Sequence, residues 1–167
     1  SLKIYKIIDR AKKISAKDLE NDLLKILPEE KTNIILEYLA LSDFNALKNF
    51  TQKHQLEEQA QAFLFFVSKT EKTFLKPYLQ YDPSIVRGLD YYTGLVFEIF
   101  DKHPENKRAI CGGGSYANLL GIFNEGPLAG VGFGLGDVTL LDFLKVHNLL
   151  PTIKASHSQI LISYAKE

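Results

Sequence analysis

Apolar residues return at helical spacing through the first half of the chain, beginning with Ile4. They recur every three or four positions to about residue 74, which places them on one face of successive α-helices. No glycine occurs before residue 88, so this half lacks a residue that strongly disfavours helix. Helix starts are marked by Ser15, by Pro28 and by either Ser42 or Asp43. We therefore predict five helices and expect residues 1–75 to form a small all-helical module.

The fifth predicted helix is the most apolar one, because four apolar residues follow one another from Phe63 to Phe66. We expect this helix to lie at the centre of the module. The module offers no candidate group for catalysis, so its own residues predict a structural role.

Strand-like alternation replaces the helical period beyond Pro77. Strands are predicted at 93–100 and 130–136, with 108–111 returning as the antiparallel partner of the first. The three glycines that follow residue 111 are expected to end that partner strand, and a short helix is expected at 115–123. Asp137 is expected to cap a further helix.

Hairpin connections between neighbouring strands favour an antiparallel sheet over a parallel one. The sequence therefore predicts an α+β fold, in which residues 76–150 form an antiparallel β-sheet with flanking helices beside the helical module. Residues 151–167 are interpreted as a linker followed by the first strand of another domain. The chain has no methionine, and we take it to be a piece of a longer protein.

The composition argues against several classes of function but does not identify one. The 20 Lys and Arg residues balance the 20 Asp and Glu residues, so no net field favours a nucleic acid or a membrane. No apolar run reaches the roughly 18 residues of a membrane helix. The single cysteine, Cys111, fits a reducing compartment such as the cytoplasm, and scattered histidines predict no metal site.

The stretch from Arg87 to Glu98 carries the first candidate site. Arg87 presents a planar fork of donors suited to a carboxylate or a phosphate. Tyr91 and Tyr92 offer flat apolar faces with a hydroxyl at the tip. Two interpretations stay open from these residues: a cleft for a small zwitterionic or aromatic ligand, or an ordinary turn before a strand.

Glycines form the second and third candidate features. Those at positions 130, 132, 134 and 136 alternate along one predicted strand, so all of them fall on the same face. That bare face suits either a nucleotide base or a closely packed neighbouring element. The opposite face, which carries Val131 and Phe133, is expected to reach the core. The run Gly112, Gly113 and Gly114 is either a backbone cradle for a ligand or a flexible turn.

These segments together resemble the histidyl-tRNA synthetases, which are class II aminoacyl-tRNA synthetases. The family carries Arg-Gly-Leu-Asp-Tyr-Tyr, which stands here at 87–92, then Gly-Gly-Arg-Tyr-Asp, matched at 113–117, then the glycine-rich strand and helix of motif 3. The match covers about residues 76–150. By position, residues 1–75 resemble the helical insertion of that family, and 151–167 the start of its anticodon-binding domain.

The resemblance implies a role for each matching residue. Arg87 would be the catalytic arginine, near the histidine carboxylate and the ATP α-phosphate. Tyr91, Tyr92 and Tyr116 would line the histidine pocket, together with the cradle Gly112, Gly113 and Gly114. The strand through Gly132, Gly134 and Gly136 would lie under ATP. The implied partners are L-histidine, ATP with Mg²⁺ and tRNA(His), and the implied assembly is a homodimer through an element that this chain lacks.

Three positions depart from the family pattern. Ser115 stands in place of an arginine, Ala117 in place of an aspartate, and Thr139 in place of the arginine that grips the ATP γ-phosphate. The leading hypothesis is a piece of a histidine–tRNA ligase that is inactive or nearly so by itself. The alternative is a paralogue such as the regulatory subunit of ATP phosphoribosyltransferase, and a third is a helical interaction module with a vestigial sheet.

Overall fold

A computed structural model describes residues 2–86, 92–117 and 119–152 of the chain. The chain divides into two compact units, the first formed by residues 1–98 and 112–134 and the second by 99–111 and 135–167. This division does not test the predicted domain boundaries at residues 75 and 150, which stay a prediction. No helix in the described parts is long and apolar enough to cross a membrane.

The first half of the chain folds into the five predicted helices. Their bounds are α1 Leu2–Ile8, α2 Ala16–Leu24, α3 Glu29–Leu39, α4 Phe44–Lys53 and α5 Glu57–Thr70. Short 3₁₀ turns lie between α1 and α2, at Ala11–Lys13, and after α5, at Lys76–Tyr78. The apolar spacing predicted one helix through Ile14, but α1 ends at Ile8 and the 3₁₀ turn carries the chain onward.

Two side chains start their helices as the sequence predicted. The Ser15 hydroxyl accepts a hydrogen bond from the Asp18 amide at 3.1 Å, at the start of α2. The Asp43 carboxylate accepts from the amides of Asn45 and Ala46 at 2.9 and 2.8 Å, at the start of α4. These bonds satisfy amides that the first helical turn leaves without partners.

The core of the helices lies around α2 and not around α5. Leu23 is fully buried and forms a cluster with Ile7 and Leu19, against which residues of α3 also pack. The expectation that α5 lies at the centre is wrong, since Phe65 and Phe66 are 61% and 40% exposed. Four successive apolar residues point to every side of a helix, and only one side can face its neighbours.

Replacing Leu23 by alanine tests this assignment of the core. We expect Leu23→Ala to lower the free energy of unfolding by about 2–5 kcal/mol, because the change leaves a cavity at a buried site. The matched control is Leu24→Ala on the same helix, where the side chain is 42% exposed and the expected loss is about 1 kcal/mol or less. Urea unfolding followed by circular dichroism measures both, and equal losses would contradict the assignment.

The second half contributes an antiparallel sheet, which confirms the α+β prediction. Its strands are β1 Val96–Ile99, β2 Cys111–Tyr116 and β3 Gly130–Leu135, hydrogen-bonded in the order β1-β2-β3. The Ser115 amide donates to the Leu95 carbonyl and the Ile110 amide to the Ile99 carbonyl, so β2 runs back along β1. The helix α6 spans Asp137–Val146.

Several local predictions in this half need correction. The three glycines lie inside β2 instead of ending it, since a partner strand on each side keeps them in the ladder. The predicted helix at 115–123 shrinks to a 3₁₀ turn at Leu119–Phe123. Gly136, not Asp137, occupies the cap position of α6, and Asp137 lies in its first turn. Val131 and Phe133 are 69% and 68% exposed, because no described element covers their face of β3.

Within the second unit, Asp101 joins a loop to the end of α6. Its carboxylate is 6% exposed and accepts from the His103 amide at 3.1 Å and from Asn106 Nδ2 at 2.6 Å, while His147 Nε2 lies 2.8 Å away. Burial raises the pKa of this carboxyl, but the hydrogen bonds from Asn106, His147 and the His103 amide outweigh it and lower the pKa to about 2.

The depressed pKa of Asp101 predicts a loss of stability in acid. An unfolded aspartate titrates near a pKa of about 3.9, so the contribution is complete above that pH and is lost as the pH falls toward about 2. We expect Asp101→Asn to flatten the pH dependence of the unfolding free energy between about pH 4 and 2. Urea unfolding at several pH values tests this, with Glu105→Gln in the same loop as the exposed control.

Candidate functional site

The candidate site lies in the first unit, where tyrosine rings meet glycine-rich strands. Tyr92 precedes β1, Tyr116 ends β2, and the glycines come from β2 and β3. Of the predicted site residues, Arg87 and Tyr91 fall outside the described residues, so their roles stay predictions.

Tyr92 and Tyr116 come together although 24 positions separate them in the sequence. Their ring centroids are 6.4 Å apart and the ring planes meet at 29°, which is a stacked arrangement. Each side chain is half-buried. The pair presents apolar aromatic faces beside the sheet, as a pocket for a flat ligand requires.

Gly113 and Gly114 let this arrangement form. A Cβ atom at Gly114 would lie 2.6 Å from Cδ1 of Tyr92 and 2.9 Å from the Leu95 carbonyl oxygen. A Cβ atom at Gly113 would overlap the Gly132 carbonyl oxygen and lie 2.7 Å from Cβ of Phe133. Glycine at these two positions therefore allows the Tyr92 ring to lie on β2 and allows β3 to approach it closely. Gly112 is buried in the same strand.

The bare face of β3 is not uniform. The Tyr116 ring lies against Gly130 and Gly132: a Cβ atom at Gly130 would overlap the ring, and one at Gly132 would lie 2.8 Å from the phenol oxygen. The sequence allowed either a nucleotide base or a packed neighbouring element on this face. At these two positions the neighbouring element, the Tyr116 side chain, occupies the space. An ATP-binding role for Gly132 therefore requires Tyr116 to move.

Gly134 and Gly136 differ from these two glycines, and Gly136 lies just beyond β3 as the cap residue of α6. Nothing lies within 4 Å of a Cβ atom built on Gly134, so that position has open space. In the second unit, a Cβ atom at Gly136 would lie 2.5 Å from Oγ1 of Thr139. Only Gly134 thus presents a bare surface, and the ATP-binding roles of both residues stay predictions.

The three positions that depart from the family pattern offer no charge. The Ser115 hydroxyl lies 3.5 Å from the Leu95 carbonyl oxygen, and the Ala117 amide donates to Oγ1 of Thr93 at 2.8 Å. Thr139 is 8% exposed, and its hydroxyl lies 3.1 Å from the Gly136 carbonyl oxygen. The Ser115 and Thr139 hydroxyls thus contact backbone carbonyl oxygens of other residues. Across the described ranges, no group of three His, Cys, Asp or Glu side chains is placed to hold a metal ion.

Sequence reasoning missed the part played by Gly130 and Gly94. Gly130 makes room for the Tyr116 ring, and a Cβ atom at Gly94 would lie 2.6 Å from the Ser115 hydroxyl oxygen. The glycine alternation contained a signal for Gly130, but it could not reveal which group would lie on it.

Comparison with known proteins identifies the family. The family model for histidyl-tRNA synthetase matches residues 15–139 of this chain. The chain belongs to the histidyl-tRNA synthetase family. It is thus related to the class II aminoacyl-tRNA synthetases, and the resemblance drawn from its motifs is confirmed.

Curated relatives match most of the chain but only part of their own length. A histidine–tRNA ligase of Leptospira biflexa is 40% identical over 160 residues, covering 95% of this chain and 36% of the relative. One from Thermoplasma volcanium is 35% identical, covering 93% and 36%. The chloroplastic/mitochondrial one of Arabidopsis thaliana is 32% identical, covering 96% and 33%. The chain therefore spans about a third of the length of these relatives.

Solved structures share the fold. A histidyl-tRNA synthetase from Nostoc sp. PCC 7120 has a TM-score of 0.65 at 24% identity and covers 90% of this chain and 37% of its own. An ATP phosphoribosyltransferase regulatory subunit/histidyl-tRNA synthetase from Bacillus halodurans C has a TM-score of 0.57 at 21% identity, covering 82% and 37%. Both structures thus share the fold of this chain.

The close approach of β2 and β3 predicts a contrast between two glycines. Gly113→Ala should lower the free energy of unfolding by about 2 kcal/mol or more, because its Cβ atom meets backbone that cannot move aside. Gly134→Ala should be neutral or slightly stabilising, because its Cβ atom meets open space. Urea unfolding of both variants tests this, and a Gly113→Ala protein as stable as Gly134→Ala would contradict the packing described.

Proposed function

We propose that this chain forms the histidine-binding part of a histidine–tRNA ligase. In that reaction the histidine carboxylate attacks the ATP α-phosphate, pyrophosphate leaves, and the histidyl group of the adenylate then passes to a hydroxyl of tRNA(His) with release of AMP. ATP enters with Mg²⁺ as a substrate. The family assignment supports the reaction, and the contacts of the tyrosines support the place of the histidine.

The observation that carries the proposal is the stacked pair Tyr92 and Tyr116. The family resemblance implies that both residues line the histidine pocket, and their ring centroids lie 6.4 Å apart beside a sheet whose glycines leave room for them. An imidazole ring is flat and suits contact with aromatic faces. Tyr91 and the cradle from Gly112 to Gly114 complete the proposed pocket.

Arg87 supplies the proposed catalytic charge. Adenylate formation gathers negative charge at the α-phosphate as the carboxylate oxygen attacks. A guanidinium that donates to the carboxylate and the phosphate together holds them in line and stabilises that charge. The space above Gly134 is where we place part of the ATP, with Gly132 and Gly136 contributing if neighbouring side chains move aside.

The proposed partners follow from the same assignment. tRNA(His) is the acceptor, and the acting protein is a homodimer whose dimer element is not in this chain. We place the reaction in the cytoplasm. The helical residues 1–75 are proposed as the family's insertion, residues 76–150 as part of the catalytic core, and 151–167 as the beginning of the anticodon-binding domain.

A chimera tests the function without requiring activity from the chain alone. The matched part of this chain would replace the corresponding segment of the Leptospira biflexa ligase, which is 40% identical over 160 residues. We expect histidine-dependent ATP–pyrophosphate exchange by the chimera and little or none by the isolated chain. A folded chimera that binds histidine without exchange would contradict the ligase proposal.

Substitution of Arg87 in the chimera tests its role. Arg87→Ala should lower the rate of adenylate formation by about 10²–10³ with little change in stability, as the loss of one well-placed donor does elsewhere. Arg87→Lys should fail as well, because a single ammonium cannot reproduce the planar fork. Arg108→Ala is the control for general loss of positive charge. Exchange by Arg87→Ala at the rate of the unsubstituted chimera would remove this residue from the mechanism.

One observation favours a second function. Ser115, Ala117 and Thr139 present no charge where the ligases carry arginine, aspartate and arginine, and the Thr139 hydroxyl is buried against its own helix start. A regulatory paralogue, such as the regulatory subunit of ATP phosphoribosyltransferase, binds a ligand without making an adenylate. It would need the tyrosine pocket but not the charges. Histidine binding without exchange in the chimera is the result that selects this alternative.

A further inference from the structure

Thr93 follows Tyr92 directly and makes two hydrogen bonds to the residues on either side of Tyr116. Its backbone amide donates to the Ser115 carbonyl oxygen at 3.1 Å. Its side-chain oxygen Oγ1 accepts from the Ala117 amide at 2.8 Å. All of these residues belong to the first unit. One residue beside the first ring of the stacked pair therefore holds the backbone on both sides of the second ring.

The bond to the Thr93 side chain lies just beyond the end of a strand. The strand β2 ends at Tyr116, and the chain bends at Ala117. Strand ends open more readily than strand interiors, because fewer hydrogen bonds hold them. The Thr93 hydroxyl therefore fastens the backbone at the point where the strand that carries Tyr116 stops.

Neighbouring residues bring the two segments close enough for this bond. The Ser115 amide donates to the Leu95 carbonyl oxygen at 2.8 Å. A Cβ atom at Gly94 would lie 2.6 Å from the Ser115 hydroxyl oxygen, so glycine at this position allows the approach. The backbone bonds do not need any particular side chain at position 93. The threonine hydroxyl is thus a contact that a substitution can remove while the backbone bonds remain.

The Thr93 hydroxyl affects geometry more than stability. Thr93 and Ala117 are exposed, so water competes for the bond and its net contribution to stability is modest. A β-branched side chain has few χ1 rotamers, however, and this stiffness keeps the hydroxyl directed at the amide. A binding site depends on such supporting bonds, because small shifts of its side chains weaken their contact with a ligand.

We propose that Thr93 is a positioning residue, whose hydroxyl holds Tyr116 against Tyr92 and thereby sets the affinity of the site for histidine. It acts through the two rings and not by contact with the reacting atoms. The family resemblance implied no role for this residue. The identity of the ligand rests on the proposed function, whereas the contact between Thr93 and Ala117 does not.

Nuclear Overhauser cross-peaks between the two rings report the pair directly in the chain with labelled tyrosines. We expect them in the unsubstituted chain, where the ring centroids of Tyr92 and Tyr116 are 6.4 Å apart. Thr93→Val keeps the branched shape but removes the acceptor, so these cross-peaks should lose most of their intensity while the Tm changes little. Thr93→Ser keeps the hydroxyl and should retain them. Cross-peaks of full intensity in Thr93→Val would overturn the inference.

Thr73→Val is the matched control, in the helical half of the chain. Thr73 is also exposed, and its hydroxyl oxygen likewise accepts from a backbone amide, that of Leu75 at 3.2 Å. The control thus loses the same kind of bond away from the tyrosines, and its ring cross-peaks should equal those of the unsubstituted chain. A loss as large as that in Thr93→Val would be a general effect of removing a hydroxyl and would overturn the inference.

Exchange kinetics of the chimera give a second readout. Thr93→Val should raise the KM for histidine by about 2- to 10-fold, the effect of one lost hydrogen bond, with kcat and the KM for ATP unchanged. Thr93→Ser should restore the KM for histidine, and Thr73→Val should leave it unchanged. A merely structural role would lower the Tm and alter both KM values together, and that result would overturn the inference.

The two readouts separate this inference from the proposed function. If the unsubstituted chimera shows no exchange, the proposed function fails, and the ring cross-peaks of the chain still decide whether Thr93 holds the pair. Weak cross-peaks in Thr93→Val together with an unchanged KM for histidine would overturn the link between the pair and histidine affinity. That result would also count against the proposed histidine pocket.

Discussion

The candidate site depends on how closely β3 approaches β2. At Gly113 the Gly132 carbonyl oxygen occupies the space that any side chain would need. This approach brings Gly130 and Gly132 within reach of the Tyr116 ring at the end of β2, and the ring in turn stacks on Tyr92. A single steric constraint thus places two tyrosines, distant in sequence, in one aromatic pair. The glycines in these strands cost conformational entropy, and the close packing offsets that cost.

The helical residues obey a different physical rule. Their ends are fixed by local hydrogen bonds, as at Ser15 and Asp43, and their interior by the burial of Leu23 and its neighbours. Neither depends on the glycine strands.

The three departures from the family pattern remove charged side chains that the family pattern carries. Ser115 and Thr139 make contacts with backbone oxygens instead of presenting charge. Contact between aromatic faces and a flat ring needs no charge, whereas a phosphate held beside position 139 would lack a cation from that residue. The tyrosine pair therefore supports the first proposed function, whereas the missing cations support the second.

The sequence by itself determined the features that depend on neighbours along the chain. Local spacing predicts the helix starts at Ser15 and at either Ser42 or Asp43, the change from helical to strand period, the antiparallel sheet and the family motifs. The roles of Arg87 and Tyr91 rest on those motifs and lie outside the described residues. Local spacing also misled where four apolar residues in α5 suggested a central helix, because periodicity does not say which elements surround it.

Tertiary structure decided what occupies each surface. Alternation put the glycines of β3 on one face, but only the fold put Tyr116 on Gly130 and Gly132 and left Gly134 bare. The same holds for Tyr81, which lies in a strand-like stretch of the sequence and is buried in the fold against the rings of Phe44 and Phe63. Contacts between distant segments depend on the packing of the whole chain, and short-range sequence patterns do not specify them.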